Sequence, residues 1–360
     1  MGERTFPCAT CGASLAYAPG TTSLRCGHCG GETALPAEGT VDEVDLDTLI
    51  NAHERGAPVM ERRELDCAGC GARIALAPER TSAPCPWCGS ALTATDRPTV
   101  ARQPQGVIPF QVERPAAQGA LAAWVRSRWF APASFTALAG PDRLRAVWLP
   151  AWTVDARTIS DYRGERGENY QDTVSERVQV NGQWTTRTRS VTKVRWYPAS
   201  GRVAVDFDDI LVPAPRSLPR AKAQALEPWP LDRLQPFTDG FLAGSETETS
   251  ALTPSQAFAE ARTEMDAAIR RTIERDIGGD HQRIHHVDTR IHAPTAKAVL
   301  LPLWAAGYRH RGRTFTVLVN ACTGEVQGER PWSAWKIAAT VLTGLLIVGG
   351  GALAYALIQG

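Results

Sequence analysis

Two stretches of this chain are one motif written twice. CATCGASLAYAPGTTSLRCGHCGG begins at Cys8, and CAGCGARIALAPERTSAPCPWCGS begins at Cys67. Each opens and closes on CxxCG, fourteen residues separate the inner cysteines in both, and the offset is 59 residues throughout. The spacing has a chemical reading. A CxxC turn presents two sulfurs to one side of a metal ion, and the hairpin between the turns brings two more to the other side. Four thiolates at ~2.3 Å then close a tetrahedron around Zn²⁺. Gly12, Gly30, Gly71 and Gly89 let the backbone fold back toward the sulfurs.

The expected ligand sets are therefore Cys8, Cys11, Cys26 and Cys29, and Cys67, Cys70, Cys85 and Cys88, holding two Zn²⁺ ions. With four thiolates each site is closed and structural, and the metal supplies folding energy that so few apolar residues cannot. Rubredoxin-like iron, a redox pair and disulfides are the competing readings. A redox CxxC opens a helix in a βαβ unit, and none of these four is so placed. His28 and Trp87 lie inside knuckles, where a full cysteine set leaves His28 as a surface residue; Cys322 stands alone. MGERTFPCATCG has no apolar core of a signal peptide, so the soluble part is expected in the reducing cytosol, where paired cysteines favour metal over disulfides.

The other end constrains location. Ile337 to Ile358 reads IAATVLTGLLIVGGGALAYALI, 22 residues without a charge, about 33 Å of helix against a hydrocarbon core of ~30 Å. Pro331 suits a first helical position, Trp332 and Trp335 suit the headgroup zone, and Lys336 is a cytoplasmic flank. The expectation is a tail-anchored, single-pass protein of the cell membrane with its N-terminal bulk in the cytoplasm. Gly344 and Gly349–Gly351 would let a second helix approach, which leaves homo-oligomerisation open.

Charge and motif content narrow the chemistry. Residues 1–100 hold eight Arg and thirteen Asp or Glu, the opposite of a nucleic-acid grip. The four lysines are Lys193, Lys222, Lys297 and Lys336, none in a Gly-Lys-Ser/Thr ending, so no P-loop exists and ATPase or helicase activity is not supported. There is neither a GxSxG elbow nor an HExxH helix. His281, His285, His286 and His292, and Asp206, Asp208 and Asp209 in DFDD, read as surface or strand-end residues; a catalytic residue is not assigned. Arg187, Arg189, Lys193 and Arg195 share a face at strand spacing, the only strip on which a phosphate backbone would fit.

Between the termini the pattern is mixed. A helix is expected around residues 117–130, ending before Pro132, and another from a Thr253 cap and Pro254 to about Asp276, stopped by Gly278-Gly279. Its Phe258, Ala261, Met265, Ala268, Ile269, Thr272 and Ile273 fall on one face. Asn181-Gly182 marks a tight hairpin. Residues from Ala298 to Pro331 alternate like strands, with turns at Arg311–Arg313 and Thr323-Gly324. VWLPAW at Val147 echoes VLLPLW at Val299, each read as the head of a strand.

The chain thus divides into zinc ribbon 1 (1–36), an acidic linker (37–59), zinc ribbon 2 (60–98), a middle domain (99–330) and a transmembrane anchor (331–360). The linker, with Glu38, Asp42, Glu43, Asp45 and Asp47, reads as a solvated spacer in which Leu46, Leu49, Ile50 and His53 make a turn or two of helix. The fold class is α+β, a mixed antiparallel sheet with helices behind two Cys₄ ribbons and before one membrane helix.

Tandem CxxCG ribbons, LPAWTVDA, LPLW, YRHRGRTFTVLVNACTGEVQGERPWSAWKI and the final span occur here in that order. In this the chain resembles the bacterial TFIIB-type zinc-ribbon membrane proteins, often labelled primosomal or replication-restart helicase-like. The resemblance implies a membrane-attached accessory protein of membrane-stress systems, with SPFH-type or phage-shock-type partners, and offers no catalytic residue. The function expected is a membrane-tethered scaffold that organises cytosolic or membrane proteins. A tethered nucleic-acid-binding module and an enzyme of the middle domain are the alternatives.

Overall fold

The structure is a computed structural model describing residues 6–36, 39–56, 59–76, 82–93, 98–140, 143–180, 182–215 and 217–359. Glu38 and Asn181, singled out above, lie outside them. The first cysteine set lies on an antiparallel sheet of β1 (Leu15–Tyr17), β2 (Ser23–Cys26) and β3 (Glu32–Ala34). Strand β4 (Val44–Asp45) leads into α1 (Leu46–Glu54). The second set lies among β5 (Val59–Asp66), β6 (Arg73–Leu76), β7 (Ser82–Pro84), β8 (Ala91–Thr93) and β9 (Pro98–Arg102). Then come β10 (Gly106–Val107), α2 (Arg114–Arg126), a 3₁₀ segment at Ala133–Ala139, and the long strands β11 (Arg145–Val180) and β12 (Gln183–Pro213). After α3 (Arg220–Gln224), β13 (Gln235–Pro236) and β14 (Glu246–Glu248), the chain runs through α4 (Pro254–Ile277) and β15 (His281–His310). It closes with β16 (Arg313–Asn320), β17 (Val326–Gly328) and α5 (Ala334–Gln359).

The centre is an antiparallel seam between β11 and β15, paired from Arg145 opposite Ala305 to Gly167 opposite His281 with register shifts after Asp155 and after Arg163. Leu149 pairs with Leu301, Trp152 with Ala298, and Ala146 with Trp304. The two LPxW motifs therefore meet across a local two-fold at Leu149 and Leu301. The first opens its strand as expected. The second lies deep inside β15, because the polar residues before it also extend as strand.

Alternation along the seam sends side chains to opposite faces. Trp148, Leu300 and Trp304 face one cluster with Leu15, Tyr17 and Leu24 of ribbon 1 and Leu121 and Val125 of α2. Leu149, Leu301 and Leu303 face another with Leu65, Ile74, Trp87 and Leu92 of ribbon 2. The Trp148 and Trp304 indoles are satisfied: Trp148 Nε1 donates to Phe241 O at 3.0 Å, and Trp304 Nε1 donates to Val112 O at 2.9 Å. Ribbon 2 is also stitched edge-on, since β14 pairs with β11 and with β6.

Helix α4 follows its sequence signals closely. Thr253 Oγ1 accepts from Gln256 N at 3.3 Å, Gln256 Oε1 accepts from Thr253 N at 2.9 Å, and Gly278 at φ +66° ends the helix. Ala257, Ala261, Met265, Ile269, Ile273 and Ile277 are buried at a spacing of four against Trp152, Val154, Tyr162 and Val203. Each large side chain in that stripe contributes about 1.5–3 kcal/mol. Phe258, Ala268 and Thr272 lie half-buried at its margin. The earlier helix starts at Arg114 with Pro115 in its first turn and stops at Arg126, short of the expected limit; residues 127–131 form a loop instead.

Beyond Gly167 β15 ends, and β11 continues with β12 as a two-stranded arm from Glu168 opposite Arg195 to Val180 opposite Gln183. Val180 opposite Gln183 is its last pair, and Gly182 takes φ +82°. Its thirteen pairs extend about 40 Å at ~3.3 Å per residue.

The acidic spacer is built into the fold more firmly than expected. Val44 and Asp45 pair with Ala296 and Thr295 of β15, Asp45 caps α1 by accepting from Thr48 N at 2.9 Å, and Leu46 and Leu49 are buried against α4. Ribbon 1 is equally committed. Tyr17 lies 5.5 Å from Phe241, 5.6 Å from Trp148 and 6.0 Å from Phe110 between ring centroids, and its N–H donates to Ala243 O at 2.8 Å. Tyr17→Ala is expected to cost about 3–5 kcal/mol, measured by denaturant unfolding of the whole chain.

Candidate metal centres

Each CxxCG turn has the same local build. Gly12, Gly30, Gly71 and Gly89 take φ of +73°, +74°, +75° and +72°, a left-handed conformation that glycine adopts without a Cβ penalty. Each glycine N–H donates to the carbonyl of the first cysteine of its pair, at 2.9, 3.0, 2.8 and 2.8 Å. The amide of that cysteine donates in turn to the residue after the glycine: Cys8 N to Ala13 O at 2.7 Å, and Cys67 N to Ala72 O at 2.8 Å.

These knuckles bring the sequence-predicted residues together as two sets of four. Within each set the sulfurs lie within 4.8 Å of one another. Cys8 and Cys29 are 3.5 Å apart, Cys11 and Cys26 3.5 Å, Cys67 and Cys88 3.3 Å, and Cys70 and Cys85 3.7 Å. A tetrahedron with ~2.3 Å metal–sulfur bonds has edges of about 3.8 Å, whereas a disulfide would need ~2.05 Å. All eight are free thiols, and two tetrathiolate clusters able to hold metal ions result. Backbone amides favour the thiolates: the N–H groups of Thr10 and Cys11 bring Cys8 down to about 6, and those of Cys29 and His28 lower Cys26. In the second set Cys85 shares its proton with Cys70, which brings Cys70 down to about 5 and drives Cys85 up.

The centres differ in their attachment. In the second, Thr316 Oγ1 of β16 donates to Trp87 O at 2.7 Å, and the Cys88–Gly89 backbone lies directly on Gly307 of β15. A Cβ on Gly307 would stand 2.7 Å from Gly89 N and 2.8 Å from Cys88 N, so only glycine fits there. Nothing in the cysteine pattern signals this contact.

The remaining sequence candidates scatter. His281 bonds Asn169 at 3.0 Å and His285 faces Glu165 at 3.4 Å, while His286 and His292 lie at other positions along the same 30-residue strand. The basic strip on β12 is largely matched across the arm. Lys193 pairs with Asp172 at 2.5 Å, Arg189 with Glu176 at 3.7 Å, and Arg195 lies 4.7 Å over the Tyr170 ring. The field left for a phosphate backbone is weak.

A charged cluster escaped the sequence reading. Both neighbours of β11 shift register at Asp155, and Asp209 at φ +53° and Ala293 at φ +45° mark the irregularities. There Lys297, only 9% exposed, pairs with Glu43 of the former spacer and, at 3.2 Å, with Asp209. Asp155 accepts from Asp209 N. Glu43, Asp155 and Asp209 are close enough to hold a cation, and the Lys297 ammonium is that cation. Asp209 of DFDD thus belongs to a packed ion-pair site, whereas Asp206 and Asp208 are exposed as expected, although within β12 and not at its end. No signal ties residues so far apart in sequence, although a lone lysine amid the apolar run at 296–306 is itself a mark of a buried partner.

Burial, with Glu43 and Asp209 alongside, pushes Asp155 up to about 6. The folded chain therefore holds this proton more tightly than the unfolded one, and the associated stability is full below ~4 and lost as pH rises through about 6. Asp155→Asn is expected to raise the thermal midpoint relative to wild type progressively from pH 4 to 7; an unchanging difference would refute the assignment. Gly307→Ala is expected to speed extraction of one of two metal ions about tenfold or more, with the other unaffected, as followed with a chromophoric chelator.

No family model matches the chain, and no solved structure matches it. Among curated proteins it is similar to the uncharacterized protein YdjG of Bacillus subtilis (strain 168), with 25% identity over 340 residues, covering 93% of this chain and 92% of that protein. A match of that extent takes in the second cysteine set and the whole sheet.

Proposed function

We propose that this chain is a membrane-held scaffold in which two structural Zn²⁺ ions fix the ribbons against the sheet and the β11–β12 arm recruits protein partners. The observation that carries this reading is the arm: thirteen residue pairs standing beyond β15 and α4, with both faces exposed. The ribbons' apolar surfaces are used internally, against Trp148 and Leu301. This moves the recruiting surface from the ribbons to the arm and to the outward knuckles, where Cys11, Cys29 and Cys70 are exposed.

Zinc suits the centres because four thiolates at tetrahedral separations close its coordination sphere, leaving no position for a substrate. That supports a non-catalytic role. Helix α5 is apolar over Ala334–Gly351 and none of that stretch is buried, which supports a single membrane crossing. Arg330 and Lys336 beside its entry favour a cytoplasmic body. The resemblance to TFIIB-type zinc-ribbon membrane proteins supports partners of SPFH or phage-shock type.

Two measurements test the reading. Purified protein is expected to carry two equivalents of zinc; iron, with its visible thiolate absorption, would overturn the metal assignment. Replacing residues 169–194 by Asn-Gly is expected to keep zinc, fold and membrane association while abolishing crosslinking to membrane-stress partners in cells. Unchanged crosslinking in that variant, or a full-length chain that captures no neighbour, would sink the scaffold. Removing residues 1–100 is a poorer test, because it strips Tyr17, Leu24 and Trp87 from the core.

A further inference from the structure

Three tryptophans gather where α5 leaves the body. Trp332 and Trp335 are 61% and 78% exposed, as their place beside an apolar helix requires. The third, Trp129, comes from the loop after α2 and is 73% exposed. The contrast within the chain is sharp, since Trp87, Trp148, Trp152 and Trp304 are at most 3% exposed.

The Trp129 loop is bound to the foot of the helix. Lys336 Nζ donates to Trp129 O at 3.0 Å and to Ala131 O at 2.8 Å. Ser333 N donates to Phe130 O at 2.8 Å, and the Phe130 and Trp332 rings lie 6.3 Å apart. Lys336 immediately precedes the uncharged run, so these bonds hold Trp129 level with the first turn of α5. Arg330 stands over the Trp332 ring at 4.2 Å, and Arg128, next to Trp129 in the chain, stacks over the Trp124 ring at 4.5 Å.

We propose that Trp129 is a membrane-interface anchor contributed by the folded body, so that the body rests on the headgroup zone of the bilayer around the foot of α5. The proposal rests on reading α5 as a membrane span. An indole favours that zone because its ring is apolar and its N–H polar, and the flanking cations meet anionic headgroups. Only five residues separate Gly328 from Ala334, too few for a stalk. What commits the surface to lipid is its continuity with a helix whose flanks are wholly exposed.

The test uses full-length protein in phosphatidylcholine–phosphatidylglycerol vesicles, with and without lipids brominated near the top of the acyl chain. Emission of a single tryptophan is obtained by subtracting a Trp→Phe variant. Trp129→Phe reports the proposed anchor, Trp335→Phe reports the span, and Trp184→Phe, 69% exposed near the arm's tip, reports a residue in water. Trp129 emission is expected to be quenched by bromine to at least half the extent of Trp335 and to resist iodide, while Trp184 shows the reverse. Iodide quenching of Trp129 like that of Trp184, with Trp335 quenched by bromine, would overturn the anchor and leave the span intact. Shielding of Trp129 from both quenchers would assign the surface to a second copy and also overturn it. An unquenched Trp335 would remove the span and the proposal together. No recruited partner is present, so the result is independent of the scaffold reading.

Discussion

The rest of the structure depends on the backbone pairing of β11 with β15. It joins residues about 150 positions apart, and it places both LPxW motifs at the same level of the sheet. Because side chains alternate across it, one register decides two interfaces at once. Trp148 and Trp304 receive ribbon 1 and α2; Leu149 and Leu301 receive ribbon 2. A slip of one residue would exchange these faces and leave both ribbons opposed to side chains of the wrong shape. The register shifts at Asp155 lie beyond this central stretch, where the apolar seam gives way to the α4-backed blade.

The ribbons and the sheet consequently stabilise each other. A small ribbon held only by its metal would be free to present its apolar residues to a partner. Here Leu15, Tyr17, Leu24, Ile74 and Trp87 are buried against the body, so each tetrathiolate centre braces a corner of a larger core. Metal loss would therefore loosen packing well outside the knuckles, and on the second centre it would do so through Gly307.

Much of this was legible in the sequence, and the parts that were not share a physical cause. The eight cysteines, the Thr253–Gly278 helix, the hairpin closed by Gly182 and the apolar C-terminal helix each carry a local signature, and each lies where its signature places it. The length of β11 and β12 does not. ENYQDTVSERVQV, the first strand of the arm, is mostly polar because both faces of the arm meet solvent, and period-two alternation exists only where one face is buried. Non-local contacts are silent for a different reason. Glu43, Asp155, Asp209 and Lys297 converge only because three strands shift register together, and Gly307 matters only because a knuckle lies on it.

The seam also sets the order in which the molecule can be completed. On a chain growing from its N-terminus, β11 and β12 form their local hairpin early, yet the edge of β11 that receives β15 stays open until residues 281–305 have been made. Pairing over so long a separation is entropically slow, and an open strand edge invites association with other chains. Since α5 follows β15 so closely, closure of the sheet and synthesis of α5 fall almost at the same moment, which ties completion of the body to the emergence of a helix long and apolar enough to cross a membrane.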